Sequence, residues 1–131
     1  MGIDELGPGF IKSVRRPLEA TAFGASVIVL PPSTQWFNHF HREQDELYFV
    51  HAGRAAFDVD GDRFELGPGG MVYVESTTPR QFWNDGEDEL VLLALGGKDG
   101  YVGHDGQLVD PSEVDRRAAA GKGDLDAIRR R

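Results

Sequence analysis

The sequence predicts an all-β fold, a sandwich or barrel, with a short helical tail at its C-terminal end. Three observations carry this. Seventeen glycines and seven prolines punctuate short apolar runs, the pattern of many brief strands joined by turns. Asp60-Gly61 stands between two such runs as a two-residue hairpin turn. After Asp110 this pattern gives way to helix-starting signals. The 131 residues include no cysteine, so the chain is expected to be one domain with a core that needs no disulfides.

Taken in order, strands are expected at 10–15 (FIKSVR), 23–30 (FGASVIVL), 36–41 (WFNHFH) and 46–52 (ELYFVHA). RAAFDVD at 54–60 and DRFEL at 62–66 flank the Asp60-Gly61 turn, and MVYV at 71–74, RQFW at 80–83 and ELVLLAL at 89–95 complete the series. Spacing of this kind suits a sandwich or barrel. GYVGHDGQLV at 100–109 reads as one more small hairpin, turning at Asp105-Gly106. Asp110 then caps a helix with Pro111 at its first position and Glu113 in its first turn, ending near Gly121. A second short helix is expected over 124–130. The β domain thus occupies 1–109, and 110–131 is a helical tail appended to it. Arg129, Arg130 and Arg131 read as a solvated helix end.

Charge and hydropathy exclude some partners. A formal charge of −8 repels phosphate backbones, so nucleic acid is not an expected partner. The longest apolar run, Leu90–Leu95, is far too short to span a bilayer. The segment MGIDELGPGFIKS lacks a basic region followed by an apolar core, and Leu6 stands where a myristoylation signal wants Ser or Thr. A cytoplasmic location is the expectation. Ser26, Ser33 and Ser76 sit in no motif that activates a hydroxyl.

The chemistry concentrates in HFHREQDELYFVHAG at 39–53. Alternate residues of a strand share a face, so His39 and His41 point the same way. Glu46, on the next strand of an expected hairpin, can turn in beside them. Two imidazoles and a carboxylate form the ligand set of a non-haem Fe(II), Mn(II) or Zn(II) site. The spacing His-x-His, four residues, Glu46, six residues, Gly53 resembles the first motif of the cupin superfamily, with Ser33 where that motif begins on Gly. Gly61, Pro68-x-Gly70 and Asn84 resemble the second motif, with longer spacing after Gly70. The resemblance spans roughly residues 23–96. It implies a double-stranded β-helix, the cupin or jelly-roll barrel, around a divalent metal, and a homodimer.

One residue departs from the pattern. Arg80 stands where the second motif has its histidine ligand, and a guanidinium cannot ligate a metal. Two outcomes follow. In one, His39, His41 and Glu46 hold a metal (Fe, Mn, Ni or Zn), and Arg80 sits at the rim as a bidentate clamp for an anionic substrate. In the other, no metal binds, and Arg80 neutralises Glu46 in a polar pocket that holds a small ligand without catalysis. The first makes the chain a metal-dependent enzyme of oxygenase, isomerase or lyase type acting on a small polar or anionic molecule.

Parity assigns the neighbours. Tyr48 and Val50 face inward with Glu46, and Tyr48 is either an acid, base or hydrogen-bond donor in the site or a core aromatic. Phe37 and Phe82 form an apolar wall. Gln44 and Asp45 are turn residues in solvent, His51 points away from the site, and His104 is exposed. Trp36 and Trp83 face outward and need cover, which a partner subunit would supply. The strand at 10–15 is a candidate to cross to that partner's sheet.

Overall fold

Strand pairing divides the chain between two antiparallel sheets that face each other across one core. The computed structural model describes residues 1–130; Arg131 of the basic tail lies outside the described residues. The first sheet contains β1 (Ile11–Ser13), β2 (Gly24–Leu30), β5 (Asp45–Ala52), β8 (Met71–Val74) and β10 (Leu90–Gly97), in the order β1-β2-β10-β5-β8. The second contains β4 (His39–His41), β6 (Ala55–Val59), β7 (Asp62–Leu66), β9 (Arg80–Asn84) and β11 (Gly106–Leu108), in the order β11-β4-β9-β6-β7. A short β3 (Thr34–Gln35) pairs with β9. Inward residues of both sheets, among them Leu30, Val50, Phe57, Phe82 and Leu92, fill the core. This is the expected double-stranded β-helix with its helical tail.

Several elements form as their residues dictate. Asp60 and Gly61 both take positive φ, 50° and 92°, as the two central residues of a type I′ hairpin turn require. The β2 and β10 runs are Val- and Leu-rich and pair along seven residues. Asn84, fully buried, donates to the Leu30 and Asp88 carbonyls and accepts from the Gly86 N–H, which fixes the β9–β10 connection.

Other elements differ from expectation. The first strand stops at Ser13, and Arg15–Leu18 forms a helical turn, α1. β1 pairs with β2 of its own chain. The run at 36–41 is broken, with residues 36–38 outside any strand. Parity fails across that break, and both Trp36 and Phe37 are buried, each 4% exposed. Trp36 is covered by Arg117, whose guanidinium lies 4.7 Å from the ring centroid. Trp83 does lie on the face opposite Phe82, but its cover also comes from its own chain. Its N–H donates to Asp85, and Arg130 stacks 4.4 Å from its ring. Neither tryptophan needs a partner subunit.

The tail is built into the barrel. Asp110 accepts from the Ser112 N–H with Pro111 in the first turn, and a 3-10 turn leads into α2 (Val114–Gly121). The second expected helix is a shorter 3-10 turn, Leu125–Ile128, capped by Asp124. Ala120, Ala127 and Ile128 join the core, and the Arg130 N–H donates to the Ser33 carbonyl. Arg129 pairs with Asp126 and Arg130 with Asp85, so the basic end is tied down. Among the described residues, no helix is long and apolar enough to cross a membrane.

Two turn positions test the backbone argument. Gly53 has φ 78°, and a Cβ there would lie 2.6 Å from the Glu89 carbonyl oxygen. Ser33 holds φ 62° with a side chain that costs it. In thermal or urea unfolding, Gly53→Ala should destabilise by roughly 2 kcal/mol or more. Ser33→Gly should stabilise by about 0.5–1 kcal/mol, because relief of the left-handed strain exceeds the added chain entropy.

Candidate metal centre

The three expected ligands converge, but from opposite sheets. His39 and His41 lie on β4 of the second sheet, whose neighbours are β9 and β11. Glu46 lies on β5 of the first sheet, between β10 and β8. The expected hairpin between them does not exist. Residues 42–44 carry the chain from one sheet to the other, and Glu46 meets the histidines across the barrel interior. Their ligand atoms all lie within 4.8 Å of one another.

Each imidazole is held by its outer nitrogen. His39 Nδ1 lies 2.8 Å from the Phe37 carbonyl, and His41 Nδ1 lies 2.8 Å from Asp105 Oδ1. Both partners accept, so both Nδ1 atoms carry a proton; the His39 Nε2 presents a lone pair inward, and the His41 Nε2 points its own proton at Glu46. The Nε2 atoms lie 3.9 Å and 2.8 Å from Glu46 Oε1. His41 Nε2 is buried, and the Glu46 carboxylate is its one close acceptor. Burial pulls the His39 pKa down to about 4, so His39 is neutral at pH 7. Burial acts the same way on His41, but the Glu46 and Asp105 carboxylates outweigh it and raise its pKa. Burial works to raise the Glu46 pKa, and His41 and Tyr48 beside it overcome that effect and hold it below the usual value. Two inward Nε2 atoms and a carboxylate within 4.8 Å of one another fit a divalent cation, which would displace the inner proton of His41.

Arg80 is not at the rim. It is fully buried, directly opposite His39 in the β4–β9 pairing. Nη1 donates to Glu46 Oε1 at 3.2 Å, and Nη2 donates to the Glu75 carbonyl at 2.8 Å, with Val74 and Ser76 carbonyls at 3.5 and 3.4 Å. The guanidinium is therefore committed to the protein and does not line the cavity. Tyr48 is 1% exposed and donates its hydroxyl to Glu46 Oε1 at 2.7 Å. Burial first, then the Glu46 charge, push its pKa well above the usual value, so it keeps its proton. Phe37, Phe82 and Tyr48 line the cavity, which has a volume of about 510 Å³, within the size range of small-molecule sites. His51 and His104 are exposed, as parity and turn position indicated.

Asp105 is the residue that sequence reasoning missed. Only Gly106–Leu108 pairs with β4, so residues 100–109 form no hairpin. Asp105 is 7% exposed, and its carboxylate accepts from His41 Nδ1 and from the Glu43 and Gln44 backbone N–H groups at 3.0 and 2.9 Å. It thus orients one imidazole and fixes the crossing between sheets. Gln44 is drawn in with it, and Asp45 accepts from Tyr73 and from the Ser76 N–H, so neither is a free turn residue.

The architecture is a two-sheet antiparallel β-barrel with an inward His-x-His and Glu cluster. The chain belongs to the cupin family: the Cupin domain matches residues 26–96. An uncharacterized protein of Methanocaldococcus jannaschii is 26% identical over 88 residues, 67% of this chain and 65% of the relative, so the chain spans just under two thirds of that protein. The DMSP lyase DddQ of Ruegeria pomeroyi is similar in structure, with TM-score 0.61 and 27% identity over 69% of this chain and 44% of that one. A sugar phosphate isomerase of the cupin superfamily from Silicibacter pomeroyi shares the fold, with TM-score 0.66 and 20% identity over 75% of this chain and 74% of that one.

The Asp105 brace can be tested alone. Asp105→Ala should destabilise by about 2–3 kcal/mol, the scale of a charged hydrogen-bond acceptor lost from a buried turn. It should also remove the preference for the Nδ1-protonated form of His41 in ¹⁵N spectra. Burial would raise the Asp105 pKa, but the Gln44 and Glu43 N–H groups and His41 hold it below its ordinary 3.8. The carboxylate's contribution is therefore complete above that value, and the gap between wild type and variant should shrink as pH falls below it.

Proposed function

We propose that this chain binds one divalent metal through His39, His41 and Glu46 and acts on a small polar or anionic molecule in the barrel. The observation that carries this reading is the paired tautomer. Phe37 and Asp105 take both Nδ1 protons, which turns both Nε2 atoms inward beside a carboxylate, free to ligate once His41 yields its inner proton. A hydrogen-bonded pocket for an organic ligand has no need of that pairing. Three protein ligands would leave positions open to water and substrate. The metal, Fe, Mn, Ni or Zn, would supply Lewis-acid polarisation, or O₂ chemistry if it is redox-active.

The chain's own groups have defined parts in this reading. Tyr48 offers a protonated hydroxyl at the cavity floor. Arg80 holds the Glu46 carboxylate in place and balances its charge, which makes it a positioning residue instead of a substrate clamp. Phe37 and Phe82 provide the apolar wall. The likeness to a DMSP lyase at 27% identity supports the lyase branch.

One observation favours a second reading. Arg80 Nη1 lies 3.2 Å from Glu46 Oε1, so Glu46 is already compensated without a metal, and the cavity would then be a ligand-binding pocket. Metal stoichiometry separates the two. After incubation with Fe(II), Mn(II), Ni(II) and Zn(II), elemental analysis of wild type should find about one metal per chain, as three His and carboxylate ligands support. His41→Ala and Glu46→Gln should lose it, and Arg80→His should bind it more tightly by adding a fourth ligand. Wild type that carries no metal under these conditions would eliminate the metal reading. Arg80→Ala should leave the metal in place under the first reading; under the second it should destabilise by about 3–5 kcal/mol, because it strands the Glu46 carboxylate.

Homodimerisation belongs to the same proposal. The outer face of the first sheet carries an apolar row, Val27, Leu93, Phe49 and Met71, which are direct cross-strand neighbours. Met71 is 60% and Tyr73 62% exposed. Light scattering should give a dimer for wild type and a monomer for Met71→Glu; a monomeric wild type at micromolar concentration would count against it.

A further inference from the structure

The cavity carries a charge opposite to that of the chain. The protein has 22 acidic and 14 basic residues, yet Arg15, Arg16 and Arg117 line the cavity with a single acid, Glu46. Glu46 is already engaged by Tyr48 and Arg80. The cavity has no other carboxylate to answer its arginines.

Two of those arginines are held in place by aromatic rings. The Arg15 guanidinium, on α1, lies 3.8 Å from the Tyr101 ring centroid, and that of Arg117, on α2, lies 4.7 Å from the Trp36 ring centroid. Both side chains are half-buried, and neither has an acidic partner among the described residues. A guanidinium stacked on a ring uses its face for that contact and keeps its N–H edge for a bidentate acceptor. Burial of Arg117 lowers its pKa, the mark of a cation that lacks a counter-charge. The Trp36 ring, the Arg117 fork and the cavity wall are therefore one preformed surface. Arg80, the residue whose chemistry suggested a clamp, is fully buried and does not line this surface.

We propose that Arg117 and Arg15 form the anion-recognition end of the cavity and select small organic molecules with a terminal oxyanion group, a carboxylate or a phosphate. The rest of the molecule extends toward His39, His41 and Glu46 at the floor. This inference rests on the reading of the cavity as a small-molecule site, and it does not depend on the metal. It assigns specificity to the two chain-terminal segments, α1 and α2, and leaves the barrel strands to hold the reacting end.

Calorimetric titration of wild type with butyrate and glycerol phosphate, against neutral butyramide and glycerol, tests it. The anions should bind, and each neutral counterpart should bind at least tenfold more weakly. The tighter of the two anions identifies the preferred oxyanion. Arg117→Gln and Arg15→Gln should each weaken anion binding by about ten- to a hundredfold, as expected when a charged hydrogen-bond pair is lost. Arg117→Lys should recover only part of it, since an ammonium has neither the planar stack nor the fork. Melting temperatures of both Gln variants should stay near wild type. Neutral compounds that bind as well as the anions would overturn the proposal, as would no saturable anion binding, or Gln variants that bind like wild type. Metal content measured on the same samples keeps the two readings apart. Metal-free protein whose anion binding depends on Arg117 would end the metal reading and sustain this one. Metal-loaded protein indifferent to both arginines would do the reverse.

Discussion

The Glu46 carboxylate is the constraint on which the barrel is arranged. It comes from the first sheet and is buried among groups of the second. Removing a charge from water in this way is tolerable only when compensating groups sit at contact distance. Here Arg80 from β9 and His41 from β4 face it from the second sheet, and Tyr48 from its own strand donates to the same oxygen. Such a pair adds little net stability over a well-packed apolar core, but separating its members is expensive. Its effect is therefore on geometry. A one-residue slip of β5 or β9 would turn Glu46 or Arg80 to the other face and leave the opposite charge stranded. The polar centre fixes the register of both sheets, and the apolar layer around it supplies the driving force.

Arg80 is the part of the site in which physical reasoning from sequence was half right. That a guanidinium cannot replace an imidazole as ligand follows from its chemistry. Placing it at the rim followed from the role of a substrate clamp; burying it instead carries a desolvation cost. The structure meets that cost with Glu46 and with carbonyl oxygens of residues 74–76, which the β8–β9 connection turns inward. No residue pattern announces that a connection will turn its carbonyls toward a side chain four to six positions on, so the burial was not legible.

The same contrast runs through the fold. The strands were legible because their punctuation is local: Asp60-Gly61 takes the backbone conformation that its residues favour. Asp105-Gly106 has the same dipeptide and a different outcome. Its carboxylate is used by His41 and by backbone N–H groups of residues 43 and 44, far away in the chain, and this demand overrides the turn. The ligand trio was legible from spacing, but the sheet each strand joins was not. His41 and Glu46 are close in sequence, yet strand pairing places them on facing sheets. Parity assigned Tyr48, Phe82 and His51 correctly within continuous strands, and it failed for Trp36, where the strand breaks.

The tail links the end of the chain to the interior of the barrel. Ala127 and Ile128 complete the core, Arg130 anchors against Asp85 and the Ser33 carbonyl, and Arg117 closes over Trp36. During synthesis the strands emerge first and can pair while the tail is still inside the ribosome. A barrel at that stage has an open edge beside Trp36 and Trp83 and lacks one wall of its cavity. The nascent barrel therefore cannot enclose a ligand until residues 110–130 have emerged and docked, and whatever is joined after them must leave room for that last turn.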